Sequence, residues 1–378
     1  MLTLKELVKI DSVNPSLVPG GAGEAEIGAF VADFLDGIGL DVELCEVEKD
    51  RPNVVGVLRG KGSAPSLILN GHVDTVGVEG MVDPFDPRID GNRLYGRGSA
   101  DMKGGLASIL HAVKAVVDSD VELSGDLIVA SVVDEEYASL GTERLMDSFS
   151  ADGAVVCEGT GLEIAIAHKG FVWLEVETHG KAAHGSRPEE GIDAIAKMGR
   201  LLVELDDFGV KTLSGRSHRL LGSPSLHASI ISGGRELSTY PDLCRLKLER
   251  RTIPGEDVAL VHSEILSILE RLSEADSKFK AELRTIFSRG PFNVSIEEMI
   301  VRSLGRAIHK VTGREPKYIG SYGWLDSEII QNAGVPTAIF GPGGVGMHST
   351  NEYVYVDQVV EAAMVLSQLI VDFCCPSD

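Results

Sequence analysis

The sequence predicts an α/β fold in which helices flank a mainly parallel sheet, with a smaller α+β domain inserted into it. In the N-terminal part of the chain, short apolar runs alternate with helical patterns, as is typical of a parallel sheet. Near residue 170 apolar and polar residues begin to alternate with period two, as in a strand with one solvated face. From residue 295 the first pattern resumes. We therefore expect an insertion at 170–286 between two parts of one domain, at 1–169 and 287–378.

The first part of the α/β domain opens with two predicted helices. Thr3 and Glu6 have capping-box spacing, which predicts that a helix begins there. Four apolar runs then predict strands at 53–58, 66–70, 126–133 and 153–157, with helical patterns at 104–117 and 140–149 between them. Residues 24–40 have one apolar face at helical spacing, formed by Ile27, Phe30, Val31, Phe34, Leu35 and Ile38.

The inserted segment has the order strand, helix, strand, strand, helix. Strands are predicted at 171–180, 225–232 and 244–252, and helices at 192–205 and 258–272. This order indicates a small α+β domain. A helical pattern at 295–313 returns to the α/β arrangement, and a chain of 378 residues is long enough for two domains.

The composition excludes several classes of function. The chain has 57 acidic and 35 basic residues, for a formal net charge of −22. Nucleic acids and anionic membranes bind basic surfaces, so neither is an expected partner. The N-terminus lacks the pattern of a signal peptide, and no apolar stretch approaches the ~20 residues of a membrane span. Five scattered cysteines without CxxC spacing indicate reduced thiols, so we expect a soluble cytoplasmic protein.

A cluster of like charge stands at the end of one predicted strand. In "DLIVASVVDEE" an apolar run leads directly into Asp134, Glu135 and Glu136. Two carboxylates about 4 Å apart repel by roughly 4 kcal/mol at an effective dielectric constant near 20. The cluster therefore needs either open water or a cation beside it.

Other predicted strands of this domain end in similar residues. "SLILNGHVD" ends in His72 and Asp74, "AVVCE" ends in Glu158, and "VPTAIFGPGGVGMH" leads to His348. Open α/β sheets bind ligands at the carboxyl ends of their strands. Imidazole and carboxylate without thiolate suit zinc, and also cobalt or manganese. With Asp101 from the glycine-rich "YGRGSADMKGG", the candidate metal ligands are His72, Asp101, Glu136, Glu158 and His348.

Charge counting favours two metal ions. The three ligand carboxylates and Glu135 together carry four negative charges, which two divalent ions balance. One divalent ion would leave a buried net charge of −2. The sequence therefore predicts that the cations beside "VVDEE" are metals.

The sequence disfavours two other classes of protein. "GPGGVG" at 341–346 matches a dinucleotide-binding loop, but the next helical pattern starts only near Asp357, too late for its N-terminus to meet the phosphates. Only 32 residues follow Gly346, which leaves little room for the rest of such a unit. A protein that binds peptides without metal or catalysis is disfavoured, because all five candidate metal ligands and Glu135 are present.

Five motifs together resemble one family of metallohydrolases. They are "LILNGHVDTV", "YGRGSADMKGG", "VVDEEYASLG", "GKAAHGSRPEEGIDA" and "MHSTNEYV". Their order and spacing over nearly the whole chain are similar to those of the family of acetylornithine deacetylase, succinyl-diaminopimelate desuccinylase, glutamate carboxypeptidase and aminoacylase. The resemblance implies a di-zinc catalytic domain and an inserted lid domain that forms a homodimer.

The resemblance also implies roles for the residues of the metal centre. Asp101 would bridge two ions, with His72 and Glu158 on one ion and the other two ligands, Glu136 and His348, on the second. Such a pair can hold a hydroxide and polarise a carbonyl oxygen. Glu135 matches the general base, which passes a proton to the leaving amine. Asp74 matches the carboxylate that orients the ligating imidazole.

Three residues of the inserted domain match further positions of the family. His184 matches a lid histidine that reaches the partner subunit's site and stabilises the oxyanion. Arg251 matches an arginine that binds the substrate carboxylate, for which a planar fork is suited. Ser238 stands where many relatives have asparagine, which puts that contact with the substrate in doubt.

The resemblance predicts an amide hydrolase that acts on a small molecule. We expect removal of a small acyl group from an N-acyl amino acid, as in acetylornithine deacetylase. The alternative is a metallo-exopeptidase of the same family, a carboxypeptidase or dipeptidase that acts on short peptides.

Overall fold

The structure is a computed structural model that describes residues 2–375, and it divides into two compact units. The first unit contains the described residues within Met1–Ile166, Val294–Ile319 and Leu325–Asp378. The second unit contains Ala167–Asn293 and Gly320–Trp324. The sequence-predicted boundary at residue 286 falls inside a strand of the second unit, Lys280–Arg289, which the sequence did not indicate.

The helices and strands of the described residues are as follows, in chain order. The helices are α1 Leu2–Lys9, α2 Ala25–Gly37, α3 Gly104–Asp118, α4 Leu140–Met146, α5 Ala194–Lys211, α6 Val258–Ala275, α7 Met299–Thr312, α8 Ser327–Asn332 and α9 Val356–Cys374. The strands are β1 Asp41–Glu48, β2 Arg51–Leu58, β3 Leu67–His72, β4 Arg88–Asp90, β5 Arg93–Tyr95, β6 Leu127–Val132, β7 Gly153–Val156, β8 Ile164–His168, β9 Gly170–His179, β10 Ser225–Gly233, β11 Leu243–Thr252, β12 Lys280–Arg289, β13 Phe292–Asn293, β14 Tyr318–Ser321, β15 Thr337–Ile339, β16 Gly344–Val345 and β17 Tyr353–Tyr355.

The central sheet of the first unit confirms the predicted α/β class. Its strands are hydrogen-bonded in the order β1, β2, β6, β3, β7, β15, β8. The four inner strands β6, β3, β7 and β15 are parallel, whereas β1, β2 and β8 are antiparallel to their neighbours. Every residue of β3 and β6 is buried, as expected for parallel strands that helices cover. The parallel order places the carboxyl ends of the four inner strands at one edge.

The first helix begins earlier than its capping-box spacing predicts. An N-cap residue precedes the first helical residue, but α1 already includes Thr3. The Thr3 hydroxyl lies 3.0 Å from Nε2 of His111, and Glu6 accepts a hydrogen bond from Lys9 at 2.7 Å. The predicted helix is therefore present as α1, but Thr3 lies inside it and is not its N-cap.

The second unit is a four-stranded antiparallel sheet with two helices. Its strand order is β10, β11, β9, β12, and the helices are α5 and α6. Asp193 and Asp257 cap the two helices by accepting hydrogen bonds from the backbone N–H groups of Ala196 and Leu260. The core of this unit is a buried apolar cluster that includes Leu174, Val176, Met198, Leu201, Leu246, Leu248, Val261 and Ile265.

A third, small sheet joins two distant motifs within the first unit. It has the antiparallel order β16, β17, β5, β4. Tyr353 lies opposite Tyr95, so "MHSTNEYV" runs beside "YGRGSADMKGG". The segment "GPGGVG" at 341–346 contains β16, and the next helix begins only at Val356. This loop therefore lacks the adjoining helix N-terminus of a dinucleotide site.

None of the described helices combines the length and the apolar character that a membrane span requires.

Candidate active site

Most of the predicted polar residues lie at the carboxyl ends of the parallel strands, on the same side of the sheet. His72 is the last residue of β3, and Asp74 follows two positions later. Glu158 lies two residues after β7, and the "DEE" cluster follows the end of β6. The carboxyl ends of parallel strands share an edge, so their adjacency follows from the topology.

The two oxygens of Asp101 face two different imidazoles. Asp101 Oδ1 lies 3.1 Å from His72 Nε2, and Asp101 Oδ2 lies 3.1 Å from His348 Nε2. The same His72 nitrogen is 3.4 Å from Glu158 Oε1, and the same His348 nitrogen is 3.0 Å from Glu136 Oε2. All five sequence-predicted ligands therefore lie together, and Asp101 is at their centre.

The turn that carries Asp101 needs glycine on both sides. Asp101 itself has φ −133° and ψ 93°, within the irregular turn Ser99–Lys103 that leads into α3. Gly98 has φ 78°, a left-handed conformation that favours glycine. A Cβ atom on Gly105 would lie 1.9 Å from the carbonyl oxygen of Cys157, at the end of β7. The motif "GRGSADMKGG" thus allows α3 to approach the strand end that leads to Glu158.

Asp74 holds the segment that carries Glu135 and Glu136. Its two carboxylate oxygens each accept a backbone N–H, from Glu135 and Glu136, at 3.1 Å. His72 Nδ1 lies 3.0 Å from the backbone oxygen of Asp74 and 3.5 Å from its Oδ1. The shorter contact of the imidazole is therefore with the carbonyl group, and the carboxylate mainly positions the turn.

Glu135 lies beside the ligand cluster without being at its centre. Glu135 Oε2 is 4.0 Å from His72 Nε2, and its side chain is 9% exposed. His72, Glu135 and Glu158 form one group of convergent ligand atoms, and His72, Asp101 and Glu136 form another. The Glu135 carboxylate therefore lies close enough to the ligand cluster to act on a group bound there.

Sequence reasoning missed the partners of Asp134. Asp134 Oδ1 accepts hydrogen bonds from Arg51 Nη2 and Asn14 Nδ2, both at 3.0 Å, and Arg51 also pairs with Glu24 at 2.6 Å. Asn14 also donates to Asp74 Oδ2 at 2.8 Å. One carboxylate of "VVDEE" is therefore neutralised by an arginine, contrary to the prediction that metals neutralise the whole cluster. The available signal was Arg51 itself, a charged residue at the first position of β2, just before the apolar run at 53–58.

Burial and mutual repulsion perturb the carboxyl groups of the cluster. Burial, together with the nearby Asp101 charge, raises the pKa of Glu136 to about 7. Burial also raises the pKa of Glu135 well above its ordinary value, and raises that of Glu158. Hydrogen bonds to Asp101 and Glu136 raise the pKa of His348 to about 10. The cluster stabilises positive charge, because four carboxylates surround two imidazoles.

The residues present fit divalent metal ions. The group offers imidazole nitrogen and carboxylate oxygen and no thiolate, a donor set that suits zinc, cobalt or manganese. Oε1 of Glu136 is buried and has no hydrogen-bond partner among the described residues. An unpaired buried carboxylate oxygen is costly, and a cation would satisfy it.

The remaining three predicted residues lie in the second unit. His184 is exposed, and its Nδ1 lies 2.8 Å from the Ser186 hydroxyl. The backbone oxygen of Ser238 accepts a hydrogen bond from Gly185 at 2.7 Å, which places Ser238 beside the His184 segment. Arg251 Nε donates to Glu249 Oε1 at 2.6 Å.

The two adjacent arginines of β11 differ in their surroundings. Arg250 is fully buried and pairs with Glu256 at 2.7 Å. The side chain of Arg251 is 33% exposed, and its guanidinium lies over the ring of Phe171. Successive residues of a strand face opposite sides, so only Arg251 remains available as a predicted substrate contact.

Comparison with known proteins identifies the family. The chain matches Peptidase family M20/M25/M40 over residues 68–372. It is 32% identical to N-formyl-4-amino-5-aminomethyl-2-methylpyrimidine deformylase of Bacillus subtilis, over 92% of this chain and 89% of that protein. It is 30% identical to acetylornithine deacetylase of Myxococcus xanthus, over 98% of this chain and 97% of that protein.

A solved structure supports the same assignment of fold. The chain is similar to a tripeptidase of Staphylococcus aureus with a TM-score of 0.80, at 22% identity, over 98% of this chain and 96% of that one. At this identity the likeness concerns the fold. The resemblance predicted from the five motifs is confirmed, and this chain belongs to Peptidase family M20/M25/M40 and is a hydrolase of that family.

Proposed function

We propose that this hydrolase removes a small acyl group from the amino group of an N-acyl amino acid, as an acetylornithine deacetylase-like enzyme with two divalent ions. The observation that carries the proposal is the position of Asp101, whose two oxygens face His72 and His348 at 3.1 Å each. A carboxylate in that position can bridge two ions. Glu135, beside the same cluster, then supplies the base.

Two sets of side chains would hold the ions. Asp101 would belong to both sets, with His72 and Glu158 in one, and the second set completed by Glu136 and His348. When bound, the ions would polarise the amide carbonyl and lower the pKa of water. We propose zinc as the native metal, with cobalt or manganese as substitutes.

Glu135 would move the proton that the reaction requires. As a carboxylate, it takes a proton from the attacking water, and it then delivers this proton to the nitrogen of the leaving amine. The C–N bond breaks as the amine accepts the proton, and the products are a carboxylic acid and a free amino group. Burial raises the pKa of Glu135, which favours the uptake of a proton by its carboxylate.

Arg251 and Ser238 would contribute to substrate recognition. A guanidinium can bind an α-carboxylate through two parallel hydrogen bonds. Arg251 Nε donates a hydrogen bond to Glu249, and the contact with the Phe171 ring holds the guanidinium group in one orientation. Ser238 lies in the loop that is hydrogen-bonded to the His184 segment. We propose that this loop contacts the acyl group or the carboxylate of the substrate.

Sequence similarity favours a deacylase over an exopeptidase. Two relatives, at 32% and 30% identity, are named as a deformylase and a deacetylase, both of which remove an acyl group from nitrogen. The likeness to a tripeptidase comes from a structure at 22% identity, which bears on the fold alone. The exopeptidase remains the alternative that the substrate test must exclude.

A comparison of substrates should distinguish these activities. We expect kcat/KM for an N-acetyl or N-succinyl amino acid to exceed that for an unblocked dipeptide by at least about tenfold, or ~1.4 kcal/mol in transition-state binding. The measurement is hydrolysis of N-acetyl, N-succinyl and N-formyl amino acids, dipeptides and an N-formyl amine that lacks a carboxylate. A tenfold preference for dipeptides would support the exopeptidase. A preference for the N-formyl amine would remove the proposed carboxylate contact of Arg251.

We propose that the second unit forms a homodimer through β10. Within the described residues, β10 pairs with β11 on one side only, and its opposite edge is unpaired. Ile230 and Ile231 on this strand are 61% and 52% exposed, and Val203 and Val210 of α5 are each 64% exposed. An open edge with apolar side chains is suited to pairing with a second copy of the same strand.

Mixing two inactive variants should test both the dimer and His184. If His184 serves the partner's site, a heterodimer of His184→Ala and Glu135→Ala chains has one intact site, and a random mixture regains about a quarter of wild-type activity. The measurement is activity after re-association, with heterodimers verified by two distinct tags. The same pair carrying Ile230→Glu should not re-associate and should regain nothing. Verified heterodimers without activity would confine His184 to its own subunit.

A further inference from the structure

Glu352 is a buried carboxylate that the mechanism above does not use. Its side chain is 0% exposed, and both of its oxygens accept hydrogen bonds. Oε1 accepts the backbone N–H groups of Ala100 and Asp101, at 2.8 and 3.2 Å. Oε2 accepts the N–H of Gly98 at 3.0 Å and Arg97 Nη1 at 2.7 Å. Three of these four donors are backbone groups of the turn that presents Asp101.

These contacts separate Glu352 from the ligand carboxylates. Both Glu352 oxygens are occupied by N–H donors, so neither is oriented toward a cation. Glu136, in contrast, has a buried oxygen without a partner among the described residues. Glu352 therefore acts on the backbone that carries Asp101, and not on the reacting atoms.

Arg97 extends the same contact to two other segments of the site. Its Nε donates to the carbonyl of Gly77 at 3.1 Å, in the loop that follows Asp74. Its Nη2 donates to the carbonyl of Ser349 at 3.0 Å, next to His348. One buried ion pair thus connects the loop after β3, the turn of Asp101 and the loop of His348.

The small sheet fixes Glu352 in this position. Glu352 immediately precedes β17, and the pairing of Tyr353 with Tyr95 places it beside Gly96 and Arg97. The N–H of Gly96 also donates to the carbonyl of Glu352, at 3.2 Å. The position of the carboxylate is therefore set by strand register.

We propose that Glu352, paired with Arg97, is a positioning residue that holds the Asp101 turn and the His348 loop in the arrangement that binds two divalent ions. This inference rests on the proposed metal centre. Asp101 contributes to both ligand sets, so displacement of its backbone weakens both. Residues that orient metal ligands typically alter metal affinity by about 10–100-fold when replaced.

The substitution Glu352→Gln tests this role with little change in volume. All four partners of Glu352 are N–H donors, but a glutamine offers one oxygen and one NH₂ group. Its NH₂ group must face either the Ala100 and Asp101 donors or the Gly98 and Arg97 donors. We expect the affinity of the folded protein for Zn²⁺ and Co²⁺ to fall about 10–100-fold, as measured by competition with a chelating indicator.

Glu256→Gln in the second unit is a matched control. Glu256 is also a buried carboxylate whose partners are all donors, with Arg250 and Arg216 each at 2.7 Å and the N–H of Ile253 at 3.1 Å. We expect this control to lower the unfolding midpoint, measured on metal-free protein, while leaving metal affinity within twofold of wild type. Glu352→Gln should lower both quantities.

The outcomes separate this inference from the proposed function. Wild-type affinity in a folded Glu352→Gln protein would overturn the role of Glu352 and leave the metal centre intact. Absence of metal binding by the wild-type chain would instead overturn the proposed function. If Glu352→Gln does not fold, Glu352→Asp keeps the charge, but its shorter side chain cannot reach the Ala100, Asp101 and Gly98 donors and Arg97 together. We then expect the same fall in metal affinity, and wild-type affinity in Glu352→Asp would overturn the inference.

Discussion

Removal of divalent ions with a chelator will abolish hydrolysis, and zinc, cobalt or manganese will restore it. The physical reason is the excess of negative charge in the site, where four carboxylates lie beside two imidazoles and require divalent cations. Without the ions, the site lacks the proposed Lewis acid that would polarise an amide carbonyl. Elemental analysis of the active protein should give two ions per chain, and activity should follow metal content during reconstitution.

The metal prediction needs a control for unfolding. The chelated protein should retain its secondary structure by circular dichroism, because the parallel strands that end at the site are buried apolar segments independent of the ions. One ion per chain in a fully active protein would contradict the two-ion centre. Full activity after verified removal of metal would contradict the proposed mechanism as a whole.

Replacement of Glu135 by alanine will lower kcat by about 10²–10⁴-fold, the range expected for loss of a general base. The variant should keep its metal, because the five proposed ligands remain. Its segment should also stay in place, since Asp74 holds the backbone N–H groups of residues 135 and 136, which the substitution leaves unchanged. Steady-state kinetics and elemental analysis on the same preparation are the two measurements.

Glu136→Ala is the control that separates the two neighbouring glutamates. Glu136 Oε2 lies 3.0 Å from His348, so its loss should reduce metal content as well as activity. Glu135→Ala should reduce activity alone. If Glu135→Ala loses metal, or if it retains turnover, the roles of the two residues have been assigned wrongly.

Local sequence patterns were sufficient for the class of fold and for the set of residues at the site. Apolar runs predicted the inner strands β3, β6 and β7 to within a few residues, because burial on both faces leaves a continuous apolar signal. Parallel strands share one carboxyl edge, so the residues after them could be expected to meet there. The metal and catalytic roles of these residues are predictions that the chelation and Glu135→Ala experiments test.

Features with weak local signals were not predicted. Strand β12 has a half-exposed pattern, and the strands of the small sheet are only two or three residues long. The adjacent arginines of β11 could not be told apart by period alone. Pairing of β11 with β9 and the buried acid Glu256 decide that Arg250 is inside and Arg251 is not.

By itself, the sequence determined the α/β class, the family and the cluster of metal-binding residue types, since each of these is encoded in short segments. Only the tertiary structure decided which charged residues form the buried ion pairs next to the site. Asp134 meets Arg51 across 83 positions of the chain, and Glu352 meets Arg97 across 255. Such partners depend on strand register and on the packing of distant segments, which no local periodicity contains. A buried charge in the sequence predicts that a partner exists, but only the fold determines which residue that partner is.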